Sequence, residues 1–490
     1  MVIKASVLAL YILILLAIGI YTSKKASSYD GFNLAGRGNN KWIGGISTQS
    51  ASTSGWMLLA MPGLAYAGGF SVVWTLTGWL GGSLINWILL GKRLRIATEV
   101  YDSVSCTEYF EKRTGDKKGI IGIVSAITIV ILMAINSSSE MIGFGKLLSV
   151  VFNIDYTLAV TIGLLVVTIY TFLGGYMAVS WTNLLQGSLM FLALAIVPLV
   201  AIADLNGFES MAEQLVAQQP SFFHFLGGVQ GFGNIIASLA GGLGIALLYP
   251  GMVHSLTGIM AIKDPNEVKD SALIATIWGA VALVGASGIG MAGRVIFPDA
   301  EDPEQVFLLL GEKYFPTAVF AVLGAAVMAA ILSSVCAYLI VSSASIGGCI
   351  ARRYAGKERT IVIIEKGLVI VIALTAYILA FKGGSLHTIT MFASSGLGAS
   401  FGPLVIFSLF TDKVNDKGAI ASILSGLITV LVWFYSGMSS YIFEVFPGFA
   451  VSTLVLLTVS KATGGATAET KEKYAAYMKE YEKNKEKSIR

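Results

Sequence analysis

The residues best suited to bind an ion or a small polar solute lie inside stretches that are otherwise apolar. The segment from 44 to 63, GGISTQSASTSGWMLLAMPG, gathers hydroxyl residues and a glutamine in its first half. Further along, AAILSSVCAYL places Ala330, Ser333 and Ser334 on about one helical turn. Hydroxyl and carbonyl oxygens in a cluster are ligands that hard cations prefer. A serine on a helix also commonly bonds to its own backbone, so the pattern leaves both an oxygen cage and ordinary helix packing open.

Two segments predict interrupted helices. The hydroxyl-rich segment 44–63 is a poor continuous lipid-facing helix, and GGLGIALLYPGMVH at 241–254 contains Pro250, which removes a backbone donor, followed by Gly251. Broken helices in corresponding positions of two halves are typical of transporters built from inverted repeats. The alternative is that glycine and proline only permit tight packing and a kink.

Two ionisable side chains stand out at membrane depth. Glu140 follows NSSS at 136–139, and a carboxylate at this depth points to function. It could carry a proton, contact a solute, pair with Lys146, or be solvated near an outer mouth. His254 could be a packed histidine at a helix end or a gate residue.

The elements that position these residues are membrane-spanning helices. The chain has 490 residues, of which 55% are hydrophobic and only 13% charged, whereas a soluble protein carries roughly 25% charged residues. A spanning helix needs about 20 mostly apolar residues. Such runs lie at 3–22, 42–69, 71–91, 119–150, 156–174, 184–203, 233–259, 271–296, 316–349, 360–381, 386–411, 418–436 and 442–460. We therefore expect an all-α integral membrane protein with about thirteen transmembrane helices.

The basic residues predict the orientation, because cytoplasmic loops carry an excess of lysine and arginine. With the N-terminus outside, the inner side holds the clusters Lys24/Lys25, Lys92/Arg93/Arg95, Lys112/Arg113/Lys117/Lys118 and Arg352/Arg353/Lys357, together with a basic tail. We expect a multi-pass protein of the cell membrane with its N-terminus outside and its C-terminus in the cytoplasm.

The polar segments outside the apolar runs give no sign of catalysis. Residues 97–117 predict an inner-face helix, and 469–490 predict a charged tail that is helical in part, both with a solvated surface. No phosphate-binding loop with a Lys-Ser/Thr ending is evident, which argues against an ATP-driven pump. The cysteines show no metal spacing and no disulfide framework. We expect that the protein is not an enzyme.

Four motifs resemble a known family. They are LAGRGNNKWIGGISTQSASTSGWMLLAMPG, YTFLGGYMAVSWTNLLQGSLM, AAILSSVCAYLIVSSAS and GASFGPLVIFS. They are similar to the sodium:solute symporter family, and most of all to its sodium/proline branch. The resemblance implies thirteen spans and a LeuT-type core of two inverted five-helix repeats. It divides the chain into an extra helix at 1–22, repeats at 41–204 and 233–411, two C-terminal helices at 418–460 and a cytoplasmic tail at 461–490.

The resemblance also implies a set of binding residues. A sodium ion would be held by backbone carbonyls of Ser50 and Thr53 and by atoms of Ala330, Ser333 and Ser334. The four solute positions of the branch fall on Trp56, Asn136, Ile245 and Tyr249. Glu140, from its position in the sequence and not from the resemblance, is expected to add a polar contact beside Asn136. Asn136 stands where the branch has a tyrosine and Ile245 where it has a tryptophan.

Two departures from the branch concern the coupling ion. The branch has an aspartate where this chain has Ser52, and another where it has Asn183. Our hypothesis is that sodium coupling is weakened, altered, or replaced by protonation at Glu140.

The expected function is import of a small organic solute, most simply an amino acid such as proline, coupled to sodium by alternating access. The alternatives are a proton-coupled or uncoupled facilitator, or a symporter for another solute such as pantothenate or a monocarboxylate. We expect no cofactor and no nucleic-acid partner. The lipid bilayer is the expected surrounding, and the sequence leaves the oligomeric state open, a monomer included.

Overall fold

The computed structural model describes residues 2–23, 28–351, 358–381 and 384–487, and these are almost wholly helical. The first half of the described chain contains α1 (Val2–Ser23), α2 (Tyr29–Leu34), α3 (Lys41–Leu58), α4 (Ala60–Gly68), α5 (Val73–Ile85), α6 (Lys92–Val100), α7 (Cys106–Thr114), α8 (Ile120–Phe152), α9 (Tyr156–Asp204) and α10 (Phe208–Gln218). The second half contains α11 (Phe232–Leu243), α12 (Val253–Met260), α13 (Glu267–Ile296), α14 (Val306–Tyr314), α15 (Thr317–Ile346), α16 (Glu358–Ala380), α17 (Leu386–Phe410), α18 (Asp416–Tyr435), α19 (Val445–Ala462) and α20 (Ala468–Lys487).

Within the described residues, 11 helices are long and apolar enough to cross a bilayer. The predicted total of thirteen differs at two places. Ala60–Val100 forms a single run of this kind that leaves out the hydroxyl-rich α3, and Tyr156–Ile169 is a shorter apolar helix. An all-helical membrane protein is confirmed, and the count of thirteen stays a prediction. So does the division into repeats at 41–204 and 233–411.

Both predicted interruptions are present. In α3 the backbone leaves the helical region at Ser54, with φ 56° and ψ −172°, and α4 begins six residues later. Between α11 and α12 the chain forms short 3₁₀ turns at Gly244–Leu247 and Tyr249–Gly251. Gly251 is required there, because a Cβ at this position would lie 2.2 Å from the carbonyl oxygen of Leu397 in α17.

The helix α9 corrects one predicted boundary. We expected a gap between runs at 156–174 and 184–203, but the chain is helical from Tyr156 to Asp204 and bends only at Gly175, which has φ 58° and ψ −167°. This region of backbone conformation is essentially restricted to glycine. The polar residues between 175 and 184 therefore belong to the start of a helix rather than to a loop.

Helix α15 lies at the centre of the bundle. It packs against α3, α8 and α9, and its residues from Phe320 to Ser345 are almost all buried. The runs 119–150 and 316–349 each form one long helix, as predicted. The site described below is built where α15 meets the break in α3.

The two polar segments, 97–117 and the C-terminal tail, are packed more tightly than predicted. Residues 97–117 form the end of α6 and a separate helix α7, with a turn between them. The tail forms the predicted helix, α20, but this helix is not simply solvated: Tyr477 is fully buried, and its hydroxyl donates to the carbonyl oxygen of Leu409 at 3.4 Å. The sequence 469–490 gave no sign of a buried position, because Tyr477 and the partly buried Tyr474 and Tyr481 are spaced among lysines and glutamates.

The predicted orientation is not decided by the coordinates, since they contain no bilayer. Lys24, Lys25, Arg352, Arg353 and Lys357, which support that prediction, lie outside the described residues. The orientation therefore stays a prediction.

Candidate functional site

The hydroxyl pair of α15 reaches across to the backbone of α3, just before the break. Ser334 Oγ donates to the carbonyl oxygen of Ala51 at 2.9 Å, and Ser333 Oγ lies 3.4 Å from the carbonyl oxygen of Ser50. Ser333 Oγ and Ser334 Oγ also lie 2.8 Å and 3.2 Å, respectively, from the carbonyl oxygen of Ala330 in their own helix. The two interpretations of this serine pair therefore apply together: the hydroxyls bond to their own helix and also face the neighbouring one.

Four of the five predicted sodium residues, Ser50, Ala330, Ser333 and Ser334, meet at this contact, and Thr53 lies one turn further along α3. Besides the two serines and Ala330, Thr53 is buried, and its Oγ1 lies 2.9 Å from the carbonyl oxygen of Ser50. A hydroxyl is both a donor and an acceptor, so each can turn its hydrogen away and offer a lone pair to a cation. The arrangement supplies neutral oxygen ligands from two helices, and sodium binding there stays a prediction.

Glu140 of α8 caps the break itself. Its side chain is fully buried, and Oε2 accepts a hydrogen bond from the Gly55 backbone N–H at 2.9 Å. Oε1 has no hydrogen-bond partner among the described residues. The carboxylate thus lies at the start of the second half of the broken helix, where exposed N–H groups favour a negative group.

Two of the four possibilities left open for Glu140 are not met. Lys146, on the same helix, pairs instead with Asp302 at 2.8 Å and with Glu304 at 2.5 Å, and Glu140 is buried rather than solvated. Within the described residues, Glu140 forms no ion pair with a lysine and is bonded to the break in α3.

A small cavity lies beside the break. It encloses about 20 Å³, little more than the space that one water needs. Its lining combines hydroxyl, aromatic and aliphatic side chains: Ser52, Thr53, Ser54, Trp56, Trp79, Ile245, Leu248, Met252, His254, Tyr338, Thr390, Met391 and Ser394. A cavity of this size is tightly closed, so side chains must move before an amino acid can enter.

The predicted solute residues are distributed unevenly around this cavity. Trp56 and Ile245 line it. Tyr249 lies one layer out, edge-on to the lining residue Trp79 with ring centroids 5.9 Å apart. Asn136 is buried one turn before Glu140 on α8, and neither of its amide atoms has a partner in the described part of the chain. The roles of all four in solute binding stay predictions.

A larger vestibule opens toward this cavity. It measures about 550 Å³ and lies between α4, α5, α11, the start of α17 and residues 434–444. Ile245 and Met391 line both spaces and so separate them. Movement of these two side chains would join the vestibule to the cavity.

A chain of hydrogen bonds connects Trp56 to the charged residues at the rim. The Trp56 Nε1–H donates to His387 Nδ1 at 2.9 Å. The backbone N–H of His387 lies 3.4 Å from Glu304 Oε1, which also accepts from Ser385 Oγ at 2.9 Å. Since Glu304 pairs with Lys146, the start of α17 is tied both to α8 and to the indole beside the cavity.

Several residues of the site were missed by the sequence analysis. His387 directly follows the first residue of an apolar run, Tyr338 lies in the middle of α15, and neither position carried a pattern that marked it. Outside the site, Glu365 is a second fully buried carboxylate, which accepts from the Asn33 amide at 3.1 and 3.0 Å. Its signal was available, since IVIIEKGLVIVIAL places one acid within an apolar run.

The two positions that depart from the proline branch are both occupied by neutral groups near the site. Ser52 lines the small cavity and donates to the Thr48 carbonyl oxygen of its own helix at 2.8 Å. Asn183 is buried, its backbone carbonyl oxygen lies 3.4 Å from Ser50 Oγ, and its Oδ1 has no partner among the described residues. His254 is also buried and lies edge-on to Tyr338 with centroids 4.9 Å apart, which agrees with a packed histidine at the cavity wall.

Comparison with known proteins places this geometry in a family. The sequence model of the Sodium:solute symporter family matches residues 32–426. The chain belongs to this family. The resemblance seen in the motifs is thereby confirmed, and the protein is a transporter of small solutes.

Individual members of the symporter family are similar over nearly the whole chain. The osmoregulated proline transporter OpuE of Bacillus subtilis is 32% identical over 467 residues, covering 93% of this chain and 94% of its own. The sodium/proline symporter of Staphylococcus aureus is 32% identical over 485 residues, covering 94% of each. Among solved structures, a Na⁺-coupled sialic acid symporter in a substrate-bound outward-open state superimposes with a TM-score of 0.81, at 18% identity over 95% of this chain and 99% of that one. The symporter therefore has the predicted LeuT-type fold.

Proposed function

We propose that this symporter imports proline or a closely related amino acid together with sodium. One observation supports this above the others: Ser333 and Ser334 reach the carbonyl oxygens of a broken helix directly beside a cavity lined by Trp56. Oxygen ligands for a monovalent cation and an apolar, aromatic solute pocket are thus adjacent. The relatives named as proline transporters support the choice of solute.

The chemistry of the cavity fits a compact zwitterion. Trp56, Ile245 and Met391 offer apolar surface for a saturated ring. The backbone N–H groups of Gly55 and Trp56 at the break in α3 are of the kind that hold a substrate carboxylate in broken-helix transporters, and a bound solute would take them over from Glu140 and Ser54. A bound cation nearby would add to the attraction for the carboxylate, which would couple the two ligands energetically.

Uptake into proteoliposomes tests the proposal. We expect labelled proline to accumulate against its gradient when sodium is higher outside, and not when choline replaces sodium. Passive equilibration without accumulation would indicate a facilitator, and indifference to proline with uptake of pantothenate or a monocarboxylate would indicate another solute of the family. Either result would contradict the proposal.

Serine substitutions test where sodium binds. Ser334→Ala and Ser333→Ala each remove an oxygen at the contact between α15 and α3, and we expect the sodium concentration for half-maximal uptake to rise about tenfold or more. Ser287→Ala is the matched control, because this buried hydroxyl on α13 donates to the Leu283 carbonyl oxygen of its own helix at 2.9 Å. Equal effects of all three changes would mean that the sodium site lies elsewhere.

Proton coupling at Glu140 is the second candidate. The observation that favours it is a fully buried carboxylate with one oxygen unpartnered among the described residues and with no lysine bonded to it. An acid outside pH without a sodium gradient would then drive accumulation. Uptake that needs the sodium gradient and ignores an imposed proton gradient would exclude this candidate.

We further propose that the N-terminus lies outside and the C-terminus in the cytoplasm, with inverted repeats at 41–204 and 233–411. The three native cysteines are buried, so an added cysteine reports its own side. We expect an impermeant maleimide to label Val2→Cys in intact cells and to label Lys471→Cys only after lysis. The reverse pattern would overturn the orientation.

A further inference from the structure

We propose that His387 positions the Trp56 indole and makes solute affinity sensitive to protons on the vestibule side. The inference rests on the proposed function, because it takes Trp56 to be a wall of the solute site. His387 is a positioning residue here: it acts through the indole and does not line the small cavity. Its own surroundings are the vestibule and a second space nearer the charged rim.

The geometry of the Trp56–His387 pair defines the protonation state that it needs. The indole has one N–H and is a donor only. At 2.9 Å from that N–H, His387 Nδ1 must be the acceptor, so the ring proton must lie on Nε2. The ring centroids are 6.1 Å apart and the planes are tilted by 32°, which leaves the hydrogen bond as the specific contact between the two rings.

The position of the indole matters because Trp56 lies directly after the break. Its backbone N–H donates to Ser54 Oγ at 3.1 Å, and its side chain is almost fully buried against the cavity. The hydrogen bond to His387 therefore fixes the outer end of a residue whose backbone is fixed at the break.

His387 is itself held in place by the rim. Its backbone N–H and the Ser385 hydroxyl both point to Glu304 Oε1, while Glu304 and Asp302 share Lys146. Because the start of α17 is held in this way, a change in the hydrogen bonding of the imidazole should shift the indole rather than move α17.

The vestibule exposes the imidazole to protons. His387 lines the space of about 550 Å³ together with Glu444, and it lines the neighbouring space of about 380 Å³ together with Lys146, Asp302 and Glu304. Once protonated, Nδ1 becomes a donor and faces the donor N–H of the indole, so the hydrogen bond is lost. Solute affinity should therefore fall when the pH on this side becomes low enough to protonate the imidazole.

Transport kinetics at varied outside pH test the proposal. In the wild type, we expect the KM for proline to rise roughly five-fold once the outside pH is low enough to protonate His387, at the pH that the NMR titration below locates, with kcat nearly constant, as loss of one neutral hydrogen bond implies. His387→Asn keeps an acceptor near the Nδ1 position but cannot titrate, so its KM should stay low and flat. His387→Ala should have a raised KM at every pH. His224→Asn, the same change at an exposed histidine before α11, should behave as the wild type.

A second measurement does not depend on the solute. In NMR spectra of protein with labelled tryptophan indoles, the resonance that disappears in Trp56→Phe identifies the Trp56 N–H. We expect this resonance to titrate with pH in the wild type and to be fixed in His387→Asn. A resonance that ignores pH in the wild type, or that still titrates in His387→Asn, would overturn the proposal even if the protein carries a solute other than proline. Failure of the proposed function alone would appear as absence of proline uptake at every pH with the titration of the indole intact.

Discussion

The carboxylate at the break in α3 gives the sharpest test of the site, through the substitution Glu140→Gln. The glutamine amide keeps the shape of the side chain and one oxygen that can accept from the Gly55 N–H, which in the wild type lies 2.9 Å from Glu140 Oε2. It removes the negative charge and the capacity to be protonated. The change therefore separates the charge of Glu140 from its place in the packing.

The expected size follows from the hydrogen bond. A hydrogen bond to a charged acceptor contributes about 1.5–3 kcal/mol and one to a neutral acceptor about 0.5–1.5 kcal/mol. The difference, about 1 kcal/mol, corresponds to roughly a five-fold change in an equilibrium constant. Glu140→Gln should therefore lower the free energy of unfolding by about 1 kcal/mol. If Glu140 is ionised when sodium binds, loss of its negative charge should also raise the half-saturating sodium concentration. Glu140→Ala removes the acceptor altogether and should lower stability by about 1–3 kcal/mol.

The assay is sodium-dependent proline uptake into proteoliposomes, combined with thermal unfolding in detergent with and without sodium. Glu365→Gln is the matched control, because it neutralises another fully buried carboxylate, bonded to Asn33 in α2. We expect it to affect thermal unfolding without changing the sodium dependence. The reasoning is refuted if Glu140→Gln leaves both measurements as in the wild type, or if Glu365→Gln shifts the sodium dependence equally.

Three further predictions concern the bundle around the site. Gly251→Ala forces a Cβ to 2.2 Å from the carbonyl oxygen of Leu397 and should lower the free energy of unfolding by about 1–3 kcal/mol or more. The control is Gly241→Ala, whose Cβ would have nothing within 4 Å and which should leave thermal unfolding unchanged. Equal melting temperatures for the two variants would contradict the packing described for Gly251. Gly175→Ala places a side chain at φ 58° and ψ −167°, which costs about 1–3 kcal/mol, so its melting temperature should drop, and a wild-type value would show that the bend is not needed. Tyr477→Ala empties a fully buried position in α20 and should make this helix accessible to limited proteolysis of the purified protein. Continued protection would show that the helix docks by other contacts.

The helices and their two breaks were largely predictable because the physics that sets them is local. A bilayer requires long apolar runs, and a hydroxyl-rich run such as that before Ser54, or a proline such as Pro250, cannot continue a regular lipid-facing helix. The predicted gap between the runs 156–174 and 184–203 was wrong beyond Gly175, because the polar residues after it continue a helix whose side chains are mostly buried, and so resembled a loop.

The side-chain pairings were not predictable because they depend on distant parts of the chain. Trp56 and His387 are 331 positions apart, and nothing near either residue indicates the other. Lys146 lies six positions after Glu140 yet pairs with acids beyond α13. The buried face of α20 was missed for a different reason, since its spacing of tyrosines among charged residues gives only a weak amphipathic pattern.

The docked helix α20 affects the equilibrium between conformers that open the site to one side of the membrane or to the other. Arg93 of α6 lies 4.1 Å from the ring centroid of Tyr481 and 4.4 Å from that of Phe410, while Tyr477 bonds to the end of α17. The tail thus joins the ends of helices from opposite halves of the predicted repeat pair. Any conformer in which those ends part loses these contacts, and each 1.4 kcal/mol lost lowers its population about tenfold. Removal of the chain from Ala468 onward would leave every ligand-binding atom in place and still change the fraction of molecules that present the site to each side of the membrane.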